Sequence, residues 1–184
     1  EYGIASNTLI VFTSDNGPWV SYGDHAGSAG PYREAKGTSF EGGIRVPTIA
    51  WWPGTIDPGT EDGAHWYFGD LMATFAELAG VEPPANIDSD SFAAPLRGQP
   101  RENRWLRKSL MYWEFYERGS AQAVRLGKWK AIRKPMFTGK IELYDISNDP
   151  GETTDLSKRH PDLTKTAIVE MNKAHEPDPN WPAK

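Results

Sequence analysis

Cysteine is absent from the 184 residues, which removes disulfides, thiolate metal sites and a cysteine nucleophile together. The redox compartment is left undetermined by the same absence. No apolar run approaches the roughly 20 residues needed to span a bilayer, and residues 1–15 lack the basic start and long apolar centre of a signal peptide. No membrane span is expected. The chain also lacks a strong excess of either charge: 20 Lys and Arg against 25 Asp and Glu leave −5. The basic residues are scattered, so there is no electrostatic footprint for a nucleic-acid backbone, and no nucleic-acid partner is expected. What is plentiful is 8 Trp, 15 Pro and 18 Gly, a composition for a loop-rich protein with aromatic packing. The sequence opens on Glu1 and within about ten residues is in a strand-like run, as though cut from something longer.

Thr8 to Phe12 is a short unbroken apolar run, the pattern of a strand covered on both faces in a parallel sheet. Asp15 and Asn16 follow its carboxyl end, the edge where open α/β sheets bind ligands. Residues 17–47 are rich in Gly and Pro and lack periodicity, which predicts a long irregular loop of the functional or mobile kind. Val46 to Trp52 resumes as a second buried strand, stopped by Pro53-Gly54. Phe68, Leu71, Met72, Phe75, Leu78 and Ala79 follow helical spacing, with Gly80 at the position of a left-handed C-cap. Residues 81–104 are polar and Pro-rich and predict a connecting stretch.

Beyond it the pattern changes to short strands over 109–116, 121–126, 129–133 and 141–145. Gly127-Lys128 supplies a two-residue II′ hairpin turn between the middle pair. Asn148-Asp149-Pro150-Gly151 predicts a turn, and Pro161 opens a last helix with Leu163, Ala167, Ile168 and Met171 on one face. The expected fold class is α/β: part of a mixed or parallel sheet sandwiched by helices over 1–103. A small antiparallel sheet packed on one helix follows over 104–184.

Asp15 and Asn16 offer a carboxylate and an amide carbonyl, the oxygen ligands that calcium and magnesium prefer. Neighbouring side chains in a regular strand point apart, so both reach one ion only if the strand has ended, and Gly17-Pro18 supplies that break. The same three residues suit an Asx turn, and from spacing alone both readings stand. Lys36 lies among Gly30, Gly37, Gly42 and Gly43, placed either to hold an anionic oxygen as a point charge or to sit solvated on a loop. His25 has the titration range for substrate contact or proton donation, and equally the context of a surface-loop histidine. Glu41 and Arg45 flank Gly42-Gly43 as an expected structural ion pair. Asp145 and Asp149 sit in strand-end and turn contexts, where turn chemistry accounts for both.

Taken jointly, several stretches resemble the carboxyl-terminal part of the sulfatases of the arylsulfatase type, in the alkaline phosphatase superfamily. They are Phe-Thr-Ser-Asp-Asn-Gly at 12–17, Gly-Asp-His-Ala-Gly-Ser-Ala-Gly-Pro at 23–31 and Lys-Gly-Thr-Ser-Phe-Glu-Gly-Gly-Ile-Arg-Val-Pro at 36–47. Further on come Trp-Pro-Gly at 52–54, the helix at 70–80, Leu-Arg-Gly at 96–98 and Glu-Leu-Tyr-Asp-Ile-Ser-Asn-Asp-Pro-Gly-Glu-Thr at 142–153.

The resemblance implies a sulfuric ester hydrolase with one calcium, magnesium being the alternative, held by Asp15 and Asn16 together with two acidic residues from far upstream. It gives Lys36 as a catalytic residue that contacts the sulfate, and His25 as a substrate contact. It also implies a formylglycine nucleophile within Cys/Ser-x-Pro/Ala-x-Arg, which these residues do not contain: Ser91-Phe92-Ala93-Ala94-Pro95 lacks the arginine. The expected partners are a sulfate-ester substrate and a missing N-terminal portion of the same enzyme. Without that portion the chain is expected to be inactive and to expose apolar sheet edges and faces. Family membership implies a periplasmic or secreted location. Two rivals remain: a phosphate or phosphonate ester hydrolase of the same superfamily, and a non-catalytic carbohydrate-binding relative. In the second, Trp19, Tyr22 and Tyr32 would stack on a sugar ring.

Overall fold

The regular elements, in chain order, are β1 (Ile10–Thr13), α1 (Glu41–Ile44), β2 (Thr48–Trp51), α2 (Asp70–Ala79), α3 (Ala93–Leu96), β3 (Met111–Phe115), β4 (Ala121–Leu126), β5 (Trp129–Lys134), β6 (Lys140–Asp145) and α4 (Pro161–Ala174). The structure is a computed structural model that describes residues 2–99, 103, 105, 107–108 and 110–181. The boundary expected at 103/104 and the strand start expected at 109 involve positions 104 and 109, which lie outside the described residues. The chain divides into two units, Glu1–Asp15 with Pro47–Ser109 and Asn16–Val46 with Leu110–Lys184.

In the first unit β1 and β2 pair antiparallel, with Ile10 opposite Trp51 and Phe12 opposite Ile49. Facing residues in an antiparallel ladder lie on the same side, so these four apolar side chains share one face, and all four are exposed. The α/β class holds, but the unbroken apolar run predicted a strand covered on both faces in a parallel sheet. Here its partner is antiparallel and the apolar face stays open, as the expected exposure of apolar faces requires.

Helix α2 ends where predicted: Gly80 has φ +70° and its N–H reaches the carbonyls of Ala76 and Glu77. Its buried face is not the predicted one. Phe68, Met72 and Phe75 are exposed, while Asp70, Ala73, Thr74 and Ala76 are buried. The reason is polar. The Asp70 carboxylate accepts the backbone N–H groups of Tyr67 at 3.0 Å and Asp90 at 2.8 Å and is bound by both terminal nitrogens of Arg107. Thr74 donates to the Asp70 carbonyl at 2.7 Å and accepts the Phe92 N–H at 3.0 Å. A buried charge tolerates no unpaired alternative, so these bonds, rather than the apolar stripe, choose which side turns inward.

In the second unit β3 to β6 form an antiparallel sheet in sequence order, the small subdomain the sequence predicts. Gly127, with φ +62°, opens the β4–β5 turn and Leu126 pairs with Trp129. The central strands carry small or apolar residues at both parities, and both faces are covered. Val124, Ala131, Ile141 and Leu143 pack with Ala167 and Met171 of α4. On the opposite face Ala123, Ile132, Tyr144 and Ile146 pack with Phe40. The irregular loop is therefore the second cover of the sheet, which is why segment 16–46 belongs to this unit. Asp145 accepts from Ser147, Asn148 and Lys128, and Asp149 from Thr153 and Thr154, the turn chemistry expected of both.

Candidate functional site

β1 ends at Thr13, and Asp15, Asn16 and Gly17 form a bend. Asp15, exposed, is the last residue of the first unit; Asn16, half-buried, opens the second. Gly17 is required by space: a Cβ there would stand 1.8 Å from the Gly42 carbonyl oxygen, and its N–H donates to the Gly43 carbonyl at 2.9 Å. Two residues further, the Pro18 carbonyl accepts the Lys36 backbone N–H at 3.1 Å. The Lys36 side chain is exposed, its ammonium 5.2 Å from the centre of the Trp19 ring, within cation–π range. Trp19 meets Tyr22 edge-on at 5.0 Å. His25 ends the Val20–His25 stretch, two short 3₁₀ turns joined by a kink at Gly23, and is exposed. The structure thus brings Lys36 to Pro18 and Trp19 by contact and puts His25 at the far end of the same segment.

The loop carrying Lys36 is anchored by charges that motif reading did not single out. Arg125 of β4 and Lys130 of β5 are direct cross-strand partners, an arrangement that repels when left alone. Glu41 resolves it: one carboxylate oxygen accepts from Arg125 at 2.8 Å and from Lys130 at 2.9 Å. Lys130 also faces Glu152 at 2.9 Å, and the other Glu152 oxygen accepts the Glu41 backbone N–H at 2.6 Å. The expected Glu41–Arg45 pair is present at 3.7 Å as the outer rim of this cluster. Gly42 and Gly43 let the backbone fold tightly beneath it, since added Cβ atoms would lie 2.1 Å from the Glu34 carbonyl oxygen and 2.3 Å from that of Thr38. The sequence clue was available in Arg125 and Lys130, two cations equidistant from one hairpin turn and flanked by apolar residues.

Burial pushes the Glu41 carboxyl up, but Lys130 and Arg125 outweigh it and hold it at about 2. Asp145 and Asp155 are likewise held at about 2 against their burial, mainly by Lys128 and Lys140. Burial wins for Glu152, which is raised despite Lys130. Groups with lowered folded values stabilise above the ordinary carboxylate range and lose that contribution as pH falls through their folded values. Glu152 has the opposite sign, its contribution fading as pH rises, and it is one against five, since Glu114 and Asp149 are lowered as well. The denaturant midpoint of the second unit is therefore expected to fall steadily from about pH 4.5 towards about pH 2. A midpoint flat across that window would contradict these pairings.

The motif order over 36–47 and 142–153, now with both stretches docked on one antiparallel sheet, matches the family model for N-sulphoglucosamine sulphohydrolase, C-terminal, over residues 34–175. The chain belongs to the sulfatase family. It corresponds to the carboxyl-terminal portion of these proteins. This sulfatase chain is 43% identical to N-acetylgalactosamine-6-sulfatase of Sus scrofa, over 97% of its own length and 34% of the relative's. It is 34% identical to arylsulfatase A of Homo sapiens, over 85% of its length and 34% of the relative's. Among solved structures, Ps i-CgsB in complex with k-i-k-neocarrahexaose superposes with a TM-score of 0.78 at 31% identity, covering 98% of this chain and 39% of that one. The sulfatase chain spans about a third of the length of the curated relatives it matches.

As donors, the Asp15 carboxylate and Asn16 amide oxygen fit a hard dication. Among the described residues no group of three or more His, Cys, Asp or Glu side chains is placed to hold a metal, and a cation such as calcium, which takes six to eight oxygens, would need donors beyond this pair. No helix among the described residues is long and apolar enough to cross a membrane.

Proposed function

We propose that this chain is the carboxyl-terminal part of a sulfuric ester hydrolase acting on a sulfated saccharide. The observation that carries the reading is the hydrogen bond from the Lys36 N–H to the Pro18 carbonyl. It ties an exposed ammonium, without an ion pair among the described residues, to the segment that follows Asp15 and Asn16. In this reading Asp15 and Asn16 hold calcium, with magnesium the alternative of similar hardness. The bound dication would neutralise charge on the sulfate oxygens. Lys36 donates to an anionic sulfate oxygen from the protein side, its ammonium held near the Trp19 ring; such a donor is most effective where charge develops. His25 contacts the rest of the substrate. A saccharide is favoured by the exposed edge-on pair of Trp19 and Tyr22 and by the amino-sugar sulfatase and k-i-k-neocarrahexaose relatives.

The formylglycine nucleophile and the remaining acidic ligands belong, in this reading, to an upstream portion of the same enzyme. The 184 residues alone are then inactive, and the enzyme works in the periplasm or outside the cell. The test is hydrolysis of an aryl sulfate and of a sulfated disaccharide by the full-length protein, stripped with a chelator and resupplied with calcium, magnesium or zinc. Calcium is expected to restore turnover, and Asp15→Ala to raise the calcium concentration for half-maximal rate at least about tenfold, since even outer-shell changes cost 10–100-fold. Zinc-restored hydrolysis of a phosphate ester would establish the phosphatase rival instead. Saccharide binding without turnover would establish a non-catalytic relative.

A further inference from the structure

A crevice in the second unit lies one residue beyond Lys36. Its walls are the Gly37–Phe40 stretch, the β3–β4 turn and the end of β5. Three of the lining residues carry hydroxyls. Thr38 donates to the Ala35 carbonyl and Ser120 accepts the Met136 N–H. The Ser39 hydroxyl is 2% exposed as a residue and has no hydrogen-bond partner among the described residues. A buried donor left without an acceptor is rare and calls for a ligand or water.

Two cations stand at the same crevice. Arg118 and Lys134 line it, both exposed, and neither makes an ion pair among the described residues. Glu117 is the one carboxylate on the wall. The Arg118 guanidinium carbon lies 3.6 Å from where a Cβ of Gly37 would be, so the charge sits directly over the residue after Lys36. The turn that places it is strained: Arg118 and Ser120 have φ +52° and +59° on either side of Gly119 at +85°. A left-handed residue that is not glycine costs of order 1 kcal/mol or more and persists where surrounding structure or function holds it.

We propose that this crevice is a second anion subsite, taking a sulfate or carboxylate group of the same substrate molecule whose reacting sulfate is held by Lys36. Arg118 and Lys134 supply charge at its mouth, over a lining that includes the unpartnered Ser39 hydroxyl. The inference rests on the sulfatase reading for its neighbour, but the subsite stands on its own residues. A substrate with one anionic group engages Lys36 only, and one with a second group engages both.

The experiment compares three disaccharides with the full-length protein: a neutral monosulfated one, a disulfated one and a monosulfated uronate. The wild type is expected to favour the doubly anionic substrates in kcat/KM by about tenfold or more, mainly through KM, roughly one charge-assisted contact. In Arg118→Gln and in Lys134→Gln, each tested separately, that preference shrinks several-fold. Preference for the disulfated compound alone assigns a sulfate, and preference for both assigns any anion. A preference unchanged in both variants overturns the subsite. If the wild type hydrolyses no sulfate ester, the catalytic reading fails, and calorimetric titration of the disulfated compound decides the subsite instead. Binding weakened several-fold by Arg118→Gln sustains it; binding insensitive to both variants, or absent, overturns it.

Discussion

Replacing Lys130 with alanine is expected to lower the unfolding free energy of the second unit by about 3–5 kcal/mol, the range for removing one partner of a buried ion cluster. Lys130 is fully buried and is shared by Glu41 at 2.9 Å and Glu152 at 2.9 Å. Without it Glu152, also fully buried, loses its cation, and Glu41 keeps Arg125 as its inner partner. Two carboxylates are then left with one inner cation where they had two. Desolvation is the larger part of the loss, because the truncated site has no ready access for water. Denaturant unfolding checks this: the midpoint should drop with little change in slope. Pairing Lys130→Met with Glu152→Gln should recover much of the loss, since removing both charges removes the uncompensated one. A loss below about 1 kcal/mol for Lys130→Ala would put the cluster in the class of surface ion pairs. The same variant should also loosen residues 36–45, because Glu41 is the bolt that holds that loop to the sheet.

The sheet was legible because its information is local. Short strand-like runs bounded by turns, a glycine at the hairpin and a proline at the start of α4 each act over a few residues, and β4, β5, β6 and α4 lie where those rules put them. The face of α2 was misread for a different reason. Phe68, Met72 and Phe75 outweigh Asp70 and Thr74 in any apolar count, but Asp70 is committed by Arg107, 37 residues later, and that pairing leaves no periodic trace. The strand β1 shows the same limit, since a continuous apolar run states that faces are apolar and not which partner covers them. At the candidate site, Asp15, Asn16 and Lys36 were singled out by residue type and by motif order. What tied Lys36 to Pro18, and Glu41 to Lys130 and Glu152, was long-range docking of the loop. Within the loop itself the advance notice was a pair of glycines in Glu41-Gly42-Gly43, whose meaning depends on the backbone packed against them.

Gly17→Ala carries the other large expectation, because it strikes that packing beside the site. The added methyl would sit 1.8 Å from the Gly42 carbonyl oxygen and 3.2 Å from the Gly43 Cα, and both are backbone atoms that cannot swing aside as a side-chain end would. Relief requires the 15–18 bend to lift away from α1, which breaks the 2.9 Å bond from the Gly17 N–H to the Gly43 carbonyl. Overpacking at 1–3 kcal/mol and a buried amide left unpaired at a similar figure together give about 3 kcal/mol or more. Asn16 and Pro18 flank the displaced residue, and Pro18 holds the Lys36 backbone, so one shift moves both proposed binding elements. A displacement of about 1 Å is enough to lower kcat roughly 10²-fold. Full-length Gly17→Ala is therefore expected to lose about two orders of magnitude in sulfate-ester turnover and to need more calcium. Gly27→Ala supplies the comparison: with φ +79° and open space around it, it bears a conformational cost of about 1 kcal/mol and leaves the bend in place. If Gly17→Ala retains turnover and calcium response while Gly27→Ala behaves the same way, the bend does not govern Asn16 and Lys36, and the ligands of the reaction lie elsewhere.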